Sequence, residues 1–105
     1  MDRKVKKAVI KICPEAKKAF KDGKDVYAFL ASIMFSVSDE ECCPFDKIML
    51  DGYKTFEEWN FIGDRYRKIA KSFVLFKLYP TVGLMQDINS LYKEVIDYKR
   101  ITRML

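Results

Sequence analysis

The sequence predicts an all-α protein, folded as a small single-domain helical bundle of about four to five helices. Apolar residues recur at steps of three and four along most of the chain, which is the period of a helix. No segment shows the alternation of apolar and polar residues that is typical of a half-buried strand. The chain has 105 residues, half of them hydrophobic and only four of them Gly. This length matches one domain that buries a core without disulfides or metals.

Two short helices are predicted at the N-terminal end. Val5, Val9 and Ile12 form a helical stripe that lysines flank. Pro14 interrupts this stripe, and because proline is tolerated in the first turn of a helix, it opens a second short helix that stops near Asp22.

A third helix, which begins after Asp25, is expected to lie in the core. Asp is a favoured residue at the N-cap. The apolar residues that follow have helical spacing: Val26, Phe29, Leu30, Ile33 and Met34. The pattern then dissolves into an acidic cluster, two Cys and Pro44, which indicates a connection.

The longest helix is predicted between Thr55 and Pro80. Thr55 and Glu58 have the spacing of a capping box, and Pro80 ends the helix because the residue before a proline is pushed away from helical angles. Gly63 lies inside this helix and is expected to cost about 1 kcal/mol relative to Ala without breaking it. The apolar residues of its seam are Trp59, Ile62, Tyr66, Ile69, Phe73 and Phe76. A last helical segment runs from residue 82 to residue 105.

The net charge of +5 is divided unevenly along the chain. Residues 1–24 hold nine Lys/Arg against three Asp/Glu, residues 25–60 hold two against eight, and residues 61–105 hold nine against four. Solvated helix faces account for such a pattern, and so do surfaces that attract phosphates or a basic partner.

Several classes of function are excluded by composition. The chain has no His, which removes the usual zinc sites, histidine acid–base chemistry and nucleophiles activated by His. The three cysteines (Cys13, Cys42 and Cys43) are an odd number, and the two adjacent ones do not bridge without strain. We therefore expect no catalytic residue, no metal and no cofactor.

The location of the protein is also predicted from composition. No segment approaches the roughly 18 apolar residues of a spanning helix, and the lysine-rich start lacks the apolar part of a secretory signal. The sequence therefore predicts an intracellular, cytoplasmic protein that does not bind membranes; its oligomeric state is left open.

The long helix has a second face. Arg67, Lys71, Leu75 and Tyr79 lie four residues apart, nearly opposite the apolar seam. Two cations, an apolar residue and an aromatic ring in this order suit a phosphate chain followed by a base, although the outward face of an amphipathic helix is usually only solvated.

The segment Gly23–Phe35 is followed by the acidic Glu40-Glu-Cys, and later by Tyr66–Tyr79. Together these segments resemble the fingers subdomain of family A DNA polymerases, especially those of phages. The family has the same order: a hydrophobic helix after Gly-Lys-Asp, an acidic connection, and a helix with an Arg-x3-Lys-x7-Tyr pattern. The resemblance covers residues 16–88, and it leaves a basic N-terminal arm at 1–13 and a basic tail at 97–105.

The resemblance implies roles for particular residues. In the family, the Arg and Lys of this helix grip the triphosphate and the Tyr lies near the base, and the matching positions here are Arg67, Lys71 and Tyr79. Arg65 and Lys68 extend the same basic face. The acidic residues Asp39, Glu40 and Glu41 lie in the variable connection, as a solvated cluster or as a surface for a partner.

The departures from the family pattern argue against catalysis. Phe76 and Pro80 replace glycines of the family, and Pro80 is expected to displace Tyr79 from helical geometry. The metal-binding aspartates of the polymerase palm come from segments that this chain does not contain, and phosphoryl transfer depends on such carboxylates.

The function expected from the resemblance is therefore binding without turnover. A phage or mobile-element protein of this kind inhibits a host nucleic-acid machine, such as a nuclease complex, by occupying a binding surface, as an anti-CRISPR or similar stand-alone anti-defence protein does. The alternatives are direct binding of nucleic acid or nucleotide phosphates through the basic segments, and one piece of a split DNA polymerase. If nucleic acid is bound directly, Arg67 and Lys71 are expected to matter more than Lys4.

Overall fold

The structure, a computed structural model, describes residues 2–47 and 59–104. Within these ranges all regular structure is helical and no β-strand is present, which confirms the all-α prediction. The α-helices are α1 (Arg3–Ile12), α2 (Ala16–Lys21), α3 (Val26–Phe35), α4 (Asp64–Leu78) and α5 (Val82–Met104). A 3₁₀ turn, Glu40–Cys42, follows α3, and a π-helical turn, Trp59–Gly63, leads into α4.

The helix ends follow the capping signals of the sequence. The Asp25 carboxylate accepts a hydrogen bond from the Ala28 backbone N–H at 2.9 Å, as an N-cap does. Asp2 caps α1 in the same way through the Lys4 N–H, at 2.7 Å. Helix α4 ends at Leu78, and Tyr79 has non-helical backbone angles, as the following Pro80 predicts. The capping box predicted at residues 55–58 lies outside the described residues.

Helix α4 is the centre of the fold. It contacts α1, α3 and α5, and both of the short turns. Its fully buried Ile69, Ala70 and Val74 meet the core residues of α1 and α3, among them Val9 and Leu30. The fold therefore surrounds one amphipathic helix, whose buried residues remove apolar surface from water together with those of its neighbours.

The buried face of α4 differs from the predicted seam. Tyr66 and Ile69 are buried as expected, whereas Phe73 and Phe76 are only half-buried, and Val74 is fully buried in their place. Neighbours pack against α4 on several sides. The buried face is consequently wider than one helical stripe and takes in small residues that let other helices approach.

Aromatic stacking and an ion pair hold α5 against the start of α4 and the π-helical turn before it. Phe61 of the π-helical turn stacks on Tyr98, with ring centroids 4.9 Å apart, and the Arg65 guanidinium lies 2.6 Å from the Glu94 carboxylate. The Phe35 ring of α3 stacks on Tyr66 of α4 at 4.1 Å. These contacts fix three helices around the start of α4.

The two predicted basic extensions are helical. Residues 3–12 form α1, and Val5 and Val9 belong to the hydrophobic core. Residues 97–104 continue α5. In the part of the chain that the structure describes, no helix combines the length and the apolar composition that crossing a membrane requires.

Gly63 has a role that the periodicity did not reveal. A Cβ atom at this position would overlap the backbone carbonyl oxygen of Glu41, because the 3₁₀ turn lies directly against the junction of the π-helical turn and α4. Gly63 is thus required because two backbone segments approach each other closely at this position. This requirement outweighs the cost of about 1 kcal/mol that glycine has inside a helix.

We predict that Gly63→Ala destabilises the protein by about 2 kcal/mol or more, because the overlap forces the 3₁₀ turn away from α4. Gly83→Ala is the matched control: its added Cβ meets nothing closer than 3.9 Å, and alanine favours the helix. Urea unfolding of both variants measures the difference. Equal midpoints for the two would contradict the prediction.

Candidate binding surface

The residues predicted to bind phosphate all lie on α4 or at its end, but three of the four cations have carboxylate partners within the protein. The Arg67 guanidinium lies 3.1 Å from the Asp25 carboxylate. Lys68 pairs with Asp64 one turn away at 2.8 Å, and Arg65 pairs with Glu94. The paired cations have much of their charge neutralised locally, which weakens their attraction for an external phosphate.

Arg67 and Lys71 are brought together around one ring. The Arg67 guanidinium carbon lies 5.6 Å from the centroid of the Tyr27 ring, and the Lys71 ammonium lies 5.8 Å from it. Lys71 is exposed, whereas Arg67 is half-buried. Tyr27 and Asp25 therefore position Arg67 as a link between the start of α3 and the middle of α4.

Tyr79 is separated from this pair. It follows the last residue of α4 in non-helical geometry, and about half of its surface is exposed (52%). Its backbone N–H still donates to the Leu75 carbonyl oxygen at 2.7 Å, as in the last turn of a helix. The role of the Tyr79 ring beside a base stays a prediction.

The acidic cluster lies where the 3₁₀ turn meets α4. The Asp39 carbonyl accepts hydrogen bonds from the Cys42 N–H and the Cys43 thiol. Glu40 is exposed, and the Glu41 backbone packs on Gly63. The cluster thus has a structural role through its backbone, and its use as a surface for a partner stays a prediction.

The three thiols are free and buried. Cys42 is fully buried, and its burial, reinforced by Glu41, raises the pKa of its thiol from 9.0 to about 12. Burial likewise raises the pKa of Cys13 and Cys43. All three thiols are therefore held in the protonated, weakly nucleophilic form near neutral pH. Among the described residues, no group of three or more His, Cys, Asp or Glu side chains is arranged to hold a metal ion.

A groove between α1 and the end of α4 was missed as a site by the sequence reasoning. It has a volume of about 530 Å³, and its rim carries Lys4, Lys7, Lys11 and Lys77. Its floor is apolar and consists of Ala8, Ile12 and Leu78. Lys4, Lys7 and Lys11 lie on one edge of α1, beside the row of Ala8 and Ile12 and away from the buried valines. We refer to this feature as the lysine groove.

The lysine groove differs from the α4 face in its electrostatics. No carboxylate of the described residues forms an ion pair with the four rim lysines. The described residues that line the groove are lysines and apolar residues, with no acidic residue among them. In the sequence, the lysines around the Val5–Ile12 stripe indicate one side of this groove. The place of Lys77 in the groove depends on how α4 packs against α1.

Comparisons of the chain with family models, with curated proteins and with solved structures found no match. The similarity to polymerase fingers therefore stays a prediction from the residues that carry it.

We predict that Asp25→Ala lowers the free energy of unfolding by about 1–2 kcal/mol, because it removes both the N-cap of α3 and the partner of Arg67. Asp25→Asn is expected to cost less, since asparagine caps a helix about as well as aspartate. Chemical denaturation of the two variants checks this order. Equal losses would show that the cap contributes nothing and would contradict the double role of Asp25.

The raised pKa of Cys42 predicts a pH dependence of stability. Between about pH 9 and pH 12 the unfolded thiol ionises while the folded one does not, so stability falls by up to about 1.4 kcal/mol per pH unit. Below about pH 9 the Cys42 thiol is protonated in both the folded and the unfolded state, so this loss of stability is absent there. Unfolding curves from pH 8 to pH 10.5 are expected to fall less steeply with pH for Cys42→Ala than for the parent protein. Parallel pH profiles would contradict the prediction.

Proposed function

We propose that this protein is a non-catalytic inhibitor of a host nucleic-acid machine, an anti-CRISPR or similar anti-defence protein, and that it acts by occupying an anionic surface of that machine. The observation that carries the proposal is the lysine groove, whose four cations have no carboxylate partner among the described residues. Lysines without a carboxylate partner around an apolar floor suit binding, whereas Arg65, Arg67 and Lys68 of α4 are already paired with carboxylates.

The charge arrangement supports binding to a complementary surface. Rim lysines steer association with an anionic partner and make it sensitive to salt. The apolar floor adds area that is removed from water on contact. The non-catalytic character of the proposed inhibitor is argued from the sequence. The chain has no His, and the resemblance to the polymerase family does not extend to the segments that carry its metal-binding aspartates.

Direct binding of nucleic acid is the alternative. The same lysines would contact phosphates, and affinity would then fall steeply with salt concentration. Fluorescence titration of a labelled oligonucleotide at two salt concentrations tests this alternative. The structure alters the order of residues expected to matter, because Arg67 is paired with Asp25 while Lys4 belongs to the groove.

The split-polymerase alternative predicts association through exposed apolar surface. Val82, Met85 and Ile96 of α5 are large apolar residues with exposed fractions of 74%, 42% and 53%. A piece that docks with separate palm segments would use such surface and would self-associate when isolated. Light scattering coupled to gel filtration tests for this self-association, and a monodisperse monomer would contradict the split-polymerase alternative.

The proposed function predicts that the protein inhibits at least one enzyme in a panel of nucleic-acid-cleaving machines. Inhibition is expected to titrate with the amount of enzyme and to be independent of the amount of DNA, because the enzyme's surface is what is occupied. Cleavage assays with each component varied in turn provide the measurement. Complete cleavage at excess protein throughout the panel would reject the function, and inhibition that titrates with DNA would favour nucleic-acid binding.

A charge-reversal variant tests the surface. Lys4→Glu/Lys7→Glu/Lys11→Glu is expected to reduce inhibitory potency by about tenfold or more. The matched control reverses three exposed lysines of α2, Lys17→Glu/Lys18→Glu/Lys21→Glu, which changes the net charge equally and does not touch the groove. Equal effects of the two triple variants would mean that only net charge matters.

A further inference from the structure

The shape of the lysine groove narrows the class of partner. Lys4 and Lys11 are seven residues apart on α1, which corresponds to about 10 Å, or two helical turns. The half-buried Ala8, Ile12 and Leu78 lie between this edge and Lys77. The lysine groove is therefore short, with three lysines on the α1 side, one on the α4 side and an apolar floor.

Each part of the lysine groove recognises a different feature of a ligand. The described residues of the floor, Ala8, Ile12 and Leu78, are aliphatic and offer no ring on which a nucleobase would stack. A phosphate backbone would contact the rim alone, and pressing its charges against the floor would cost desolvation without a hydrogen bond. An apolar side chain in the same place removes the floor from water.

We infer that the lysine groove binds an acidic amphipathic helix of a partner protein. In this arrangement, apolar side chains at helical spacing on the partner lie against Ala8, Ile12 and Leu78, and flanking Glu or Asp side chains meet the rim lysines. Charge complementarity identifies the partner, since four lysines and no acidic residue line the groove among the residues that the structure describes. The inference rests on the proposed function and names the part of the machine that is occupied.

The size of the groove sets the length of the contact. Two turns of a partner helix present about three apolar side chains and three or four acidic ones. Lysine is well suited to such a rim, because its aliphatic stem covers apolar surface while its ammonium group reaches the partner's carboxylates.

The test uses the full-length protein and two labelled peptides of about 14 residues, roughly 21 Å as a helix. One carries Leu at steps of three and four flanked by Glu, and the other has the same composition in scrambled order. Fluorescence anisotropy is expected to show micromolar binding of the amphipathic peptide and at least about tenfold weaker binding of the scrambled one. An oligothymidylate of equal charge is the third probe.

The variants locate the site. Lys4→Glu/Lys7→Glu/Lys11→Glu is expected to weaken peptide binding by about tenfold or more, whereas the α2 control Lys17→Glu/Lys18→Glu/Lys21→Glu changes it by about threefold at most. Circular dichroism verifies that both variants fold. If the groove variant fails to fold, the single changes Lys7→Glu and Lys77→Glu from the two sides of the groove take its place.

Four results would overturn the inference: no peptide binding up to about 100 µM, equal binding of the two peptides, equal effects of the two triple variants, or tighter binding of the oligothymidylate than of the amphipathic peptide. The last result would assign the groove to phosphates. Peptide binding without inhibition of any machine would support the groove and reject the proposed function, and inhibition that survives the groove variant would do the reverse.

Discussion

Burial of α4 by its neighbours is the constraint on which the rest of the structure depends. Ile69, Ala70 and Val74 are fully buried, and α1, α3 and α5 all pack against this one helix. A helix covered on several sides brings its polar residues close to the ends and edges of its neighbours. Arg67 consequently meets the N-cap of α3, and Arg65 meets Glu94 of α5. Packing thus converts cations of an apparently outward face into links between helices.

In contrast to α4, helix α1 lies at the margin of the fold. Val5 and Val9 anchor it in the core, and its lysine edge lies at the margin of the fold, beside the end of α4. No described element supplies a carboxylate to these lysines. The surface available to a partner therefore depends on which helix is central in the fold and which is peripheral. The number of lysines on each helix matters less.

Close packing also explains why a few residues have unexpectedly specific roles. Gly63 admits the backbone of the 3₁₀ turn, and Cys42 of that turn is fully buried. Asp25 is at once a helix cap and an ion-pair partner, so one short side chain connects the start of α3 to α4. In a domain of this size, such residues serve the core and the surface together.

The helices and several of their ends were determined by the sequence itself, because periodicity, caps and prolines act over a few neighbouring residues. Asp25 as a cap and Tyr79 as a break at Pro80 are examples. Only the tertiary structure decided that Arg67 is paired, that Gly63 is a contact point and that Lys77 joins the lysines of α1 in one groove. These features depend on distances between residues far apart in the chain, and such distances are set by how the helices pack.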